Sequence, residues 1–198
     1  FSGNELIGPE LTGLDKWHHY SFSYDTSTQS ISLFIDGALV ASDTALSPYT
    51  ETASSILIGS FAGDLATNAF QGHMDEVRIY DRVLETSEFD DVMFVPLDSE
   101  SLDNGLLAAW DFDNIEEDAT STSLDNKGIS FDGSNDYVYV STNNNDNILL
   151  SSPNYFTTEF WAKPTADSGN HWVSYPVYHG SSAYQVTGVS VTTNGVFV

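Results

Sequence analysis

The residues of this chain with the clearest chemical potential are aspartates that stand beside predicted turns and strand ends. Four of them are Asp75, Asp113, Asp132 and Asp136. Calcium takes roughly six to eight oxygen ligands from carboxylates and backbone carbonyls, often where loops meet strands. We therefore predict a structural calcium ion held by some of these four carboxylates. The alternative is that Asp132 and Asp136 form turns and that Asp75 hydrogen-bonds locally.

Acid and base catalysis needs two carboxylates on a shared face. Glu76 alternates with Arg78 along a predicted strand, and Asp75 points to the opposite side, so Asp75 and Glu76 cannot flank one substrate bond. A serine nucleophile would need a Gly-x-Ser-x-Gly turn, which the sequence lacks. The sequence predicts that this protein is not an enzyme.

The five histidines do not predict a transition-metal site. His18 and His19 are adjacent, so on a strand their rings project to opposite faces and cannot hold one ion together. We predict structural roles for them.

Aromatic side chains provide the usual platform for sugar binding, since one face of a sugar ring is apolar. Trp172 lies beside His171 and close to Tyr175. We predict Trp172 and Tyr175 as ligand-binding residues. The alternative is that they line the core or a contact between repeated units.

Composition limits the possible partners. The chain has 198 residues, with 29 acidic and 5 basic side chains, and its formal charge of −24 opposes binding to nucleic acid or anionic lipid. No segment approaches the roughly 20 apolar residues of a membrane span. The absence of cysteine excludes disulfides. We expect an acidic extracellular or cell-surface protein.

Alternation of apolar and polar residues with a period of two dominates the chain and predicts strands. Tyr20, Phe22 and Tyr24 alternate with serines, and Asp36-Gly37 predicts a tight hairpin. Further strands are predicted at 31–35, 38–41, 55–59, 72–80, 106–112, 137–140, 156–162, 171–178, 185–192 and 196–198. One short helix is predicted after Tyr80, with Thr86 or Ser87 as its cap. The pattern favours an all-β, two-sheet antiparallel sandwich.

Several segments together resemble the laminin G-like family, in its bacterial concanavalin A-like jelly-roll form. They are Phe-Asp-Gly-Ser-Asn-Asp-Tyr-Val at 131–138, Met-Asp-Glu-Val-Arg-Ile-Tyr at 74–80, and the aromatic strand after Trp17. The resemblance implies a jelly-roll sandwich whose opening and closing strands are neighbours, which would bring Asp132 and Asp136 near Asp75.

The resemblance bears on two further features. It implies that Trp17, Trp110 and Trp161 pack in the core. Glucanases of this fold carry Glu-x-Asp-x-x-Glu on one strand, a triplet that is absent here.

The order of these segments is inverted relative to the family, because the closing segment precedes the opening one. We predict that residues 1–95 form the C-terminal half of a laminin G-like domain. Residues 96–127 form an acidic linker and opening strand, and residues 128–198 form the N-terminal half. Joining Val198 to Phe1 would create one continuous apolar strand after Asn194-Gly195.

Three explanations fit the inverted order: one period of a tandem array or filament, two incomplete domains completed by further chain, and a circular permutation. We predict a repeating structural or adhesive unit of a surface adhesin or filament. Its partners would be copies of itself, joined by strand complementation or tandem stacking. The alternative is a carbohydrate-binding module of a larger secreted protein that recognises surface glycans.

Overall fold

The structure is a computed structural model of the whole chain. It describes residues 6–10, 14–45, 55–60, 69–94, 104–112, 128–141, 155–166, 170–179, 182–192 and 195–197. Of residues 141, 170–179, 182–192 and 195–197 the backbone alone is described.

Twelve strands, one short 3-10 turn and one α-helix make up this part of the chain. The strands are β1 His18–Asp25, β2 Ser30–Ile35, β3 Ala38–Thr44, β4 Ser55–Ile58, β5 Gln71–Tyr80, β6 Leu106–Trp110, β7 Ile129–Asp132, β8 Val138–Ser141, β9 Tyr155–Pro164, β10 Asn170–His179, β11 Ser182–Thr192 and β12 Gly195–Phe197. The 3-10 turn is Thr86–Glu88 and the helix α1 is Phe89–Phe94. None of the described helices is long and apolar enough to cross a membrane.

Two antiparallel sheets form the predicted sandwich. The seven-stranded sheet has the order β3-β2-β1-β9-β5, and β6 and β7 both pair with the far edge of β5. The five-stranded sheet has the order β12-β11-β10-β4-β8. The prediction of an all-β, two-sheet sandwich with a short helix is confirmed.

Each sheet contains a strand from one part of the chain inserted between strands from the other part. β9 lies between β1 and β5, with Tyr20 opposite Phe160 and Asp75 opposite Trp161. In the other sheet, β4 lies between β10 and β8. The segments that resemble the family's closing and opening strands are therefore direct neighbours within one chain.

The core lies between the two sheets and is rich in aromatic rings. Alternate residues of β1 and β9 point into it, and the rings of Tyr20 and Phe160 stack at 5.9 Å between centroids. Phe22 and Phe156 meet edge to face at 5.4 Å. These four side chains are at most 4% exposed, so the period-two pattern of β1 and β9 is explained by burial.

Gly37 and Gly59 lie at strand ends and have positive φ. Asp36 and Gly37 both have positive φ, as the predicted two-residue hairpin between β2 and β3 requires. Gly59, with φ of 87°, ends β4 against the ring of Phe131. A Cβ at residue 59 would lie 2.2 Å from that ring, so only glycine fits there.

The helix begins one residue earlier than the sequence suggested. Glu85, rather than Thr86 or Ser87, is the N-cap, and its side chain and that of Glu88 form a reciprocal capping box. Arg82 holds Glu88 with two hydrogen bonds of 2.7 Å, and this pairing lowers the pKa of Glu88. The fixed cap sets the direction of α1 across the seven-stranded sheet.

Some predictions fall outside the described residues. These are the linker at 114–127, the metal candidate Asp113, and the proposed seam at Asn194, Val198 and Phe1. They stay predictions.

Candidate functional site

The face of the seven-stranded sheet that points away from the core, called the outer face, carries most of the chemically capable side chains. His19 on β1, Arg78 on β5 and Glu159 on β9 all project onto it, because their neighbours in sequence point into the core. The helix α1 covers part of this face, packing Phe89 and Val92 against Phe34, Tyr80 and Leu84. The outer face is therefore divided into a covered part and an open part.

The covered part contains a buried charge network of His19, Arg78, Glu159 and Glu76. Nε2 of His19 donates a hydrogen bond to Glu159, and Nη1 of Arg78 donates one to the other carboxylate oxygen at 2.9 Å. Nη2 of Arg78 donates to Glu76. His19 and Glu159 are 0% exposed and Arg78 is 1% exposed, so no substrate reaches these groups.

The charge network also anchors α1. Nη1 of Arg78 donates a hydrogen bond to the backbone oxygen of Val92, in the last turn of the helix. Carbonyls at a helix end lack partners within the helix and carry partial negative charge, so a guanidinium there is favourable. Phe89 adds an edge contact with the His19 ring at 6.2 Å. The network thus ties α1 to three strands.

A β-bulge in β5 brings Glu76 into this network. Pairing with β9 shifts by one residue between Asp75 and Arg78, and Glu76 has a φ of 51°. With simple alternation along this strand, Glu76 would point to the opposite side from Asp75. The core residue Val77 would then lie on the outer face. The predicted alternation is therefore wrong locally, although Glu76 and Arg78 do share a side.

Tyr80 lies in the covered part of the outer face and has no contact with solvent. Its side chain is 0% exposed, and burial, followed by the nearby Glu159 carboxylate, raises the pKa of the phenol. Tyr80 therefore stays a neutral phenol near neutral pH.

The open part of the outer face carries what we call the tryptophan patch: Trp17, His73, Asp75, Trp161 and Lys163. Asp75 lies directly opposite Trp161, and His73 lies opposite Lys163. All five residues are partly exposed. The expectation that Trp17 and Trp161 pack in the core is wrong, because neither belongs to a core cluster. Trp110 does pack against the core, as expected.

The indole ring of Trp17 lies against the outer face and reaches toward β5. Its ring is 6.3 Å from the ring of His73, although Trp17 directly precedes β1 and His73 lies on β5, on the other side of β9. A Cβ on Gly128 would meet Trp17 at 3.4 Å and Asp75 at 3.3 Å. The missing side chain at Gly128 therefore gives the indole room to reach over β5.

His18 and His19 do point to different sides, as predicted. Nδ1 of His18 is 2.7 Å from Oδ2 of Asp36, while His19 is buried under α1 rather than inside the sandwich. Its buried position follows from the helix, which the strand pattern alone does not reveal.

Asp132 ends β7 and Asp136 follows it, whereas Asp75 lies within β5, and all three accept local hydrogen bonds. Asp132 lies opposite Gln71, four residues along β5 from Asp75, so the two are on neighbouring strands but not directly opposite each other. Asp136 accepts the amide of Asp132 at 2.8 Å, Asp132 accepts that of Ser134 at 2.7 Å, and Asp75 accepts that of Glu76 at 2.8 Å. Within the described residues, no three His, Asp or Glu side chains are grouped closely enough to share a metal ion. With Asp113 outside that part of the chain, calcium binding stays a prediction.

The predicted sugar-binding residues Trp172 and Tyr175 lie on β10. Their backbone is described, and pairing with β11 shifts register between His171 and Val173 and again after Tyr175. Their side chains fall outside what the structure describes. Their role in ligand binding stays a prediction.

Comparison with known proteins identifies the first part of the chain. Residues 3–89 match a laminin G family model described as the concanavalin A-like lectin/glucanases superfamily. This segment, 87 of the 198 residues, is similar to that superfamily. Comparisons with curated proteins and with solved structures gave no significant match.

The matched segment ends at Phe89, the first residue of α1. It includes β1 to β5. The remaining strands belong to the same two sheets as these five. The match confirms the family resemblance for residues 3–89, which include the motif at 74–80 and the aromatic strand after Trp17.

Proposed function

We propose that this chain is a non-catalytic, extracellular structural or adhesive unit that associates with further copies of itself along a sheet edge. The observation that carries the proposal is β3. It is the outermost strand of the seven-stranded sheet among the described residues, and Leu39 and Val40 on it are 55% and 36% exposed.

An exposed edge strand is a template for another strand, since one row of its backbone groups has no partner in its own sheet. β3 has no lysine, arginine or proline to discourage such pairing, and its one charge is Asp43. An antiparallel pair centred between Ala41 and Ser42 would set Asp43 opposite Val40. The two carboxylates of a β3 pair would then not face each other.

A non-catalytic role is supported by the place of the charged side chains. The groups with the best geometry for acid and base chemistry, His19 and Glu159, are sealed beneath α1 and are used to hold it. A framework domain of this kind bears load through its sheets.

The formal charge of −24 sets the conditions for association. Copies repel one another at low salt, and raising the ionic strength from about 0.01 M to about 0.1 M shortens the screening length from about 30 Å to about 10 Å. We expect sedimentation velocity to show monomers at the lower ionic strength and larger species at the higher one. Calcium chloride at matched ionic strength separates a specific calcium effect from screening.

The variant Val40→Lys tests whether β3 is the contact. It should abolish association at high ionic strength even though it reduces the net negative charge. The matched control is Tyr139→Lys, which makes a similar addition of positive charge at a 50% exposed residue on the other sheet. A wild-type chain that stays monomeric at every salt concentration, or equal behaviour of the two variants, would contradict the proposal.

A further inference from the structure

The tryptophan patch places two indole rings beside a carboxylate on a surface that water reaches. Trp161 on β9 lies directly opposite Asp75 on β5. A Cβ on Gly128 would be 3.4 Å from the Trp17 indole and 3.3 Å from Cβ of Asp75, so these two side chains adjoin each other. Trp17, Asp75 and Trp161 are all partly exposed. Neither the core nor the β3 edge explains this combination of side chains.

We propose that the tryptophan patch is a docking surface for an arginine-bearing segment of a basic partner protein. A guanidinium group is planar, so it stacks on an indole face by cation–π attraction. Its N–H groups lie in its own plane and can donate to a neighbouring carboxylate at the same time. Trp17 and Trp161 supply the ring faces, and Asp75 supplies the acceptor.

The acceptor and one of the rings are held in place before a partner arrives. Oδ1 of Asp75 accepts the amide of Glu76 at 2.8 Å, which orients the carboxylate. A carboxylate has about four acceptor sites on its two oxygens, so it can hold this amide and a guanidinium together. The Trp161 ring rests edge-on against the buried His19 ring at 5.5 Å. Side chains fixed in this way lose little conformational entropy on binding.

The lysines near the patch are outnumbered by aspartates. Lys16 and Lys163 are the nearby cations, and Nζ of Lys163 is 3.0 Å from Oδ1 of Asp15. Asp132 and Asp136 lie at and after the end of β7, which pairs with β5 beside the patch. The surroundings of the patch therefore favour a cationic group.

The charge of the whole protein selects the same kind of partner. A formal charge of −24 attracts a basic protein and raises the rate of encounter with it. It repels acidic occupants, including a second copy of this chain, and a neutral ligand gains nothing from it. The inference goes beyond the self-association proposed above, because it concerns a different surface and a different partner.

Three peptides of equal length test the chemistry of the occupant on the wild-type chain. They alternate serine with arginine, with lysine or with citrulline, and binding is followed by tryptophan fluorescence at an ionic strength of about 0.01 M, where self-association is weakest. We expect the arginine peptide to bind, and the lysine peptide to bind at least about threefold more weakly because an ammonium group is not planar. The citrulline peptide keeps the shape of arginine without its charge and should not bind.

Substitution of the acceptor locates the site. Asp75→Asn should weaken binding of the arginine peptide about tenfold, because the bond loses its charge. The matched control is Asp43→Asn, which removes the same charge from an exposed residue of β3 that also accepts the amide of the next residue, at 2.7 Å. It should change the affinity by less than about twofold, since it acts only through the long-range field.

Substitution of a ring gives a second location. Trp161→Ala should weaken binding about tenfold, and Trp161→Phe should retain part of it because a ring remains. If Trp161→Ala does not fold, the peptide series and the two aspartate variants decide the question without it.

The proposal is overturned if the arginine peptide does not bind, or if the lysine or citrulline peptide binds as tightly. Equal losses for Asp75→Asn and Asp43→Asn would also overturn it, because the peptide would then be attracted to the acidic surface as a whole. Failure of these tests leaves the salt-dependent association through β3 unaffected, so the two proposals are judged separately.

Discussion

Replacing Arg78 by methionine is expected to lower the free energy of unfolding by about 3–5 kcal/mol, the usual cost of removing one partner of a buried ion pair. Methionine keeps much of the apolar length of the side chain but leaves the fully buried Glu159 without its guanidinium partner. It also removes the hydrogen bond to Val92 and so loosens α1. Urea denaturation followed by tryptophan fluorescence measures the change.

Arg82→Met is the matched control for Arg78. Arg82 pairs with Glu88 on the same side of the sheet, but both side chains are partly exposed. A pair of this kind contributes about 0–1 kcal/mol. Equal losses for the two arginines would show that the network under α1 is not sealed.

Replacing both partners of the buried Arg78–Glu159 pair tests whether the two side chains interact directly. Arg78→Met combined with Glu159→Gln removes the uncompensated charge, so the double variant should be more stable than Arg78→Met alone. A double variant that loses the sum of both single effects would contradict a direct interaction between these side chains.

Replacing Phe160 by alanine is expected to cost about 3–5 kcal/mol, because the ring is 0% exposed and leaves a cavity against Tyr20. Since β9 lies between β1 and β5, the loss should destabilise both ends of the chain together. Fluorescence and far-ultraviolet circular dichroism should therefore report one coincident unfolding transition.

Tyr155→Ala is the control on the same strand. Tyr155 is 40% exposed, and substitutions at such positions usually change stability by no more than about 0.5 kcal/mol. Separate transitions in the Phe160→Ala variant, with one part of the chain unaffected, would contradict a shared core.

Sequence patterns predicted β1, β2 and β9 well because alternate apolar residues of these strands point into the core. Tyr20, Phe22 and Tyr24 point into the core as their alternation indicated, and Asp36-Gly37 forms the expected hairpin. β7 was not predicted as a separate strand, since only Phe131 of its four residues is buried. A strand that short carries too little pattern to be seen.

The outer face could not be predicted in the same way. His19, Arg78 and Glu159 look like solvent-facing residues in a period-two pattern, and only the position of α1 buries them. The bulge at Glu76 shifts the pattern by one residue within a signature that otherwise reads as a regular strand. Long-range packing determines both features.

The tryptophans were misplaced for a related reason. Tryptophan is a large and mostly apolar residue, and the family resemblance implied that Trp17 and Trp161 pack in the core. The structure sets them on the open part of the outer face, where register with β5 brings Trp161 opposite Asp75. A sequence signal was present in the alternation of Trp161 with the core residues Phe160 and Ala162.

Strands from both ends of one chain complete the same sandwich, and a disulfide formed in an isotopically mixed sample tests this arrangement. Asp25 and Tyr155 are opposite each other on β1 and β9, and the chain has no cysteine of its own. Opposed residues of antiparallel strands are about 4.5–5.5 Å apart at Cα, within the range of a disulfide.

The variant Asp25→Cys, Tyr155→Cys would be prepared with and without ¹⁵N, mixed while unfolded, refolded together and oxidised. Mass spectrometry of the linked peptides should show pairs that are uniformly labelled or uniformly unlabelled, because both cysteines belong to one chain. Mixed pairs as abundant as uniform ones would show that β9 comes from a neighbouring chain.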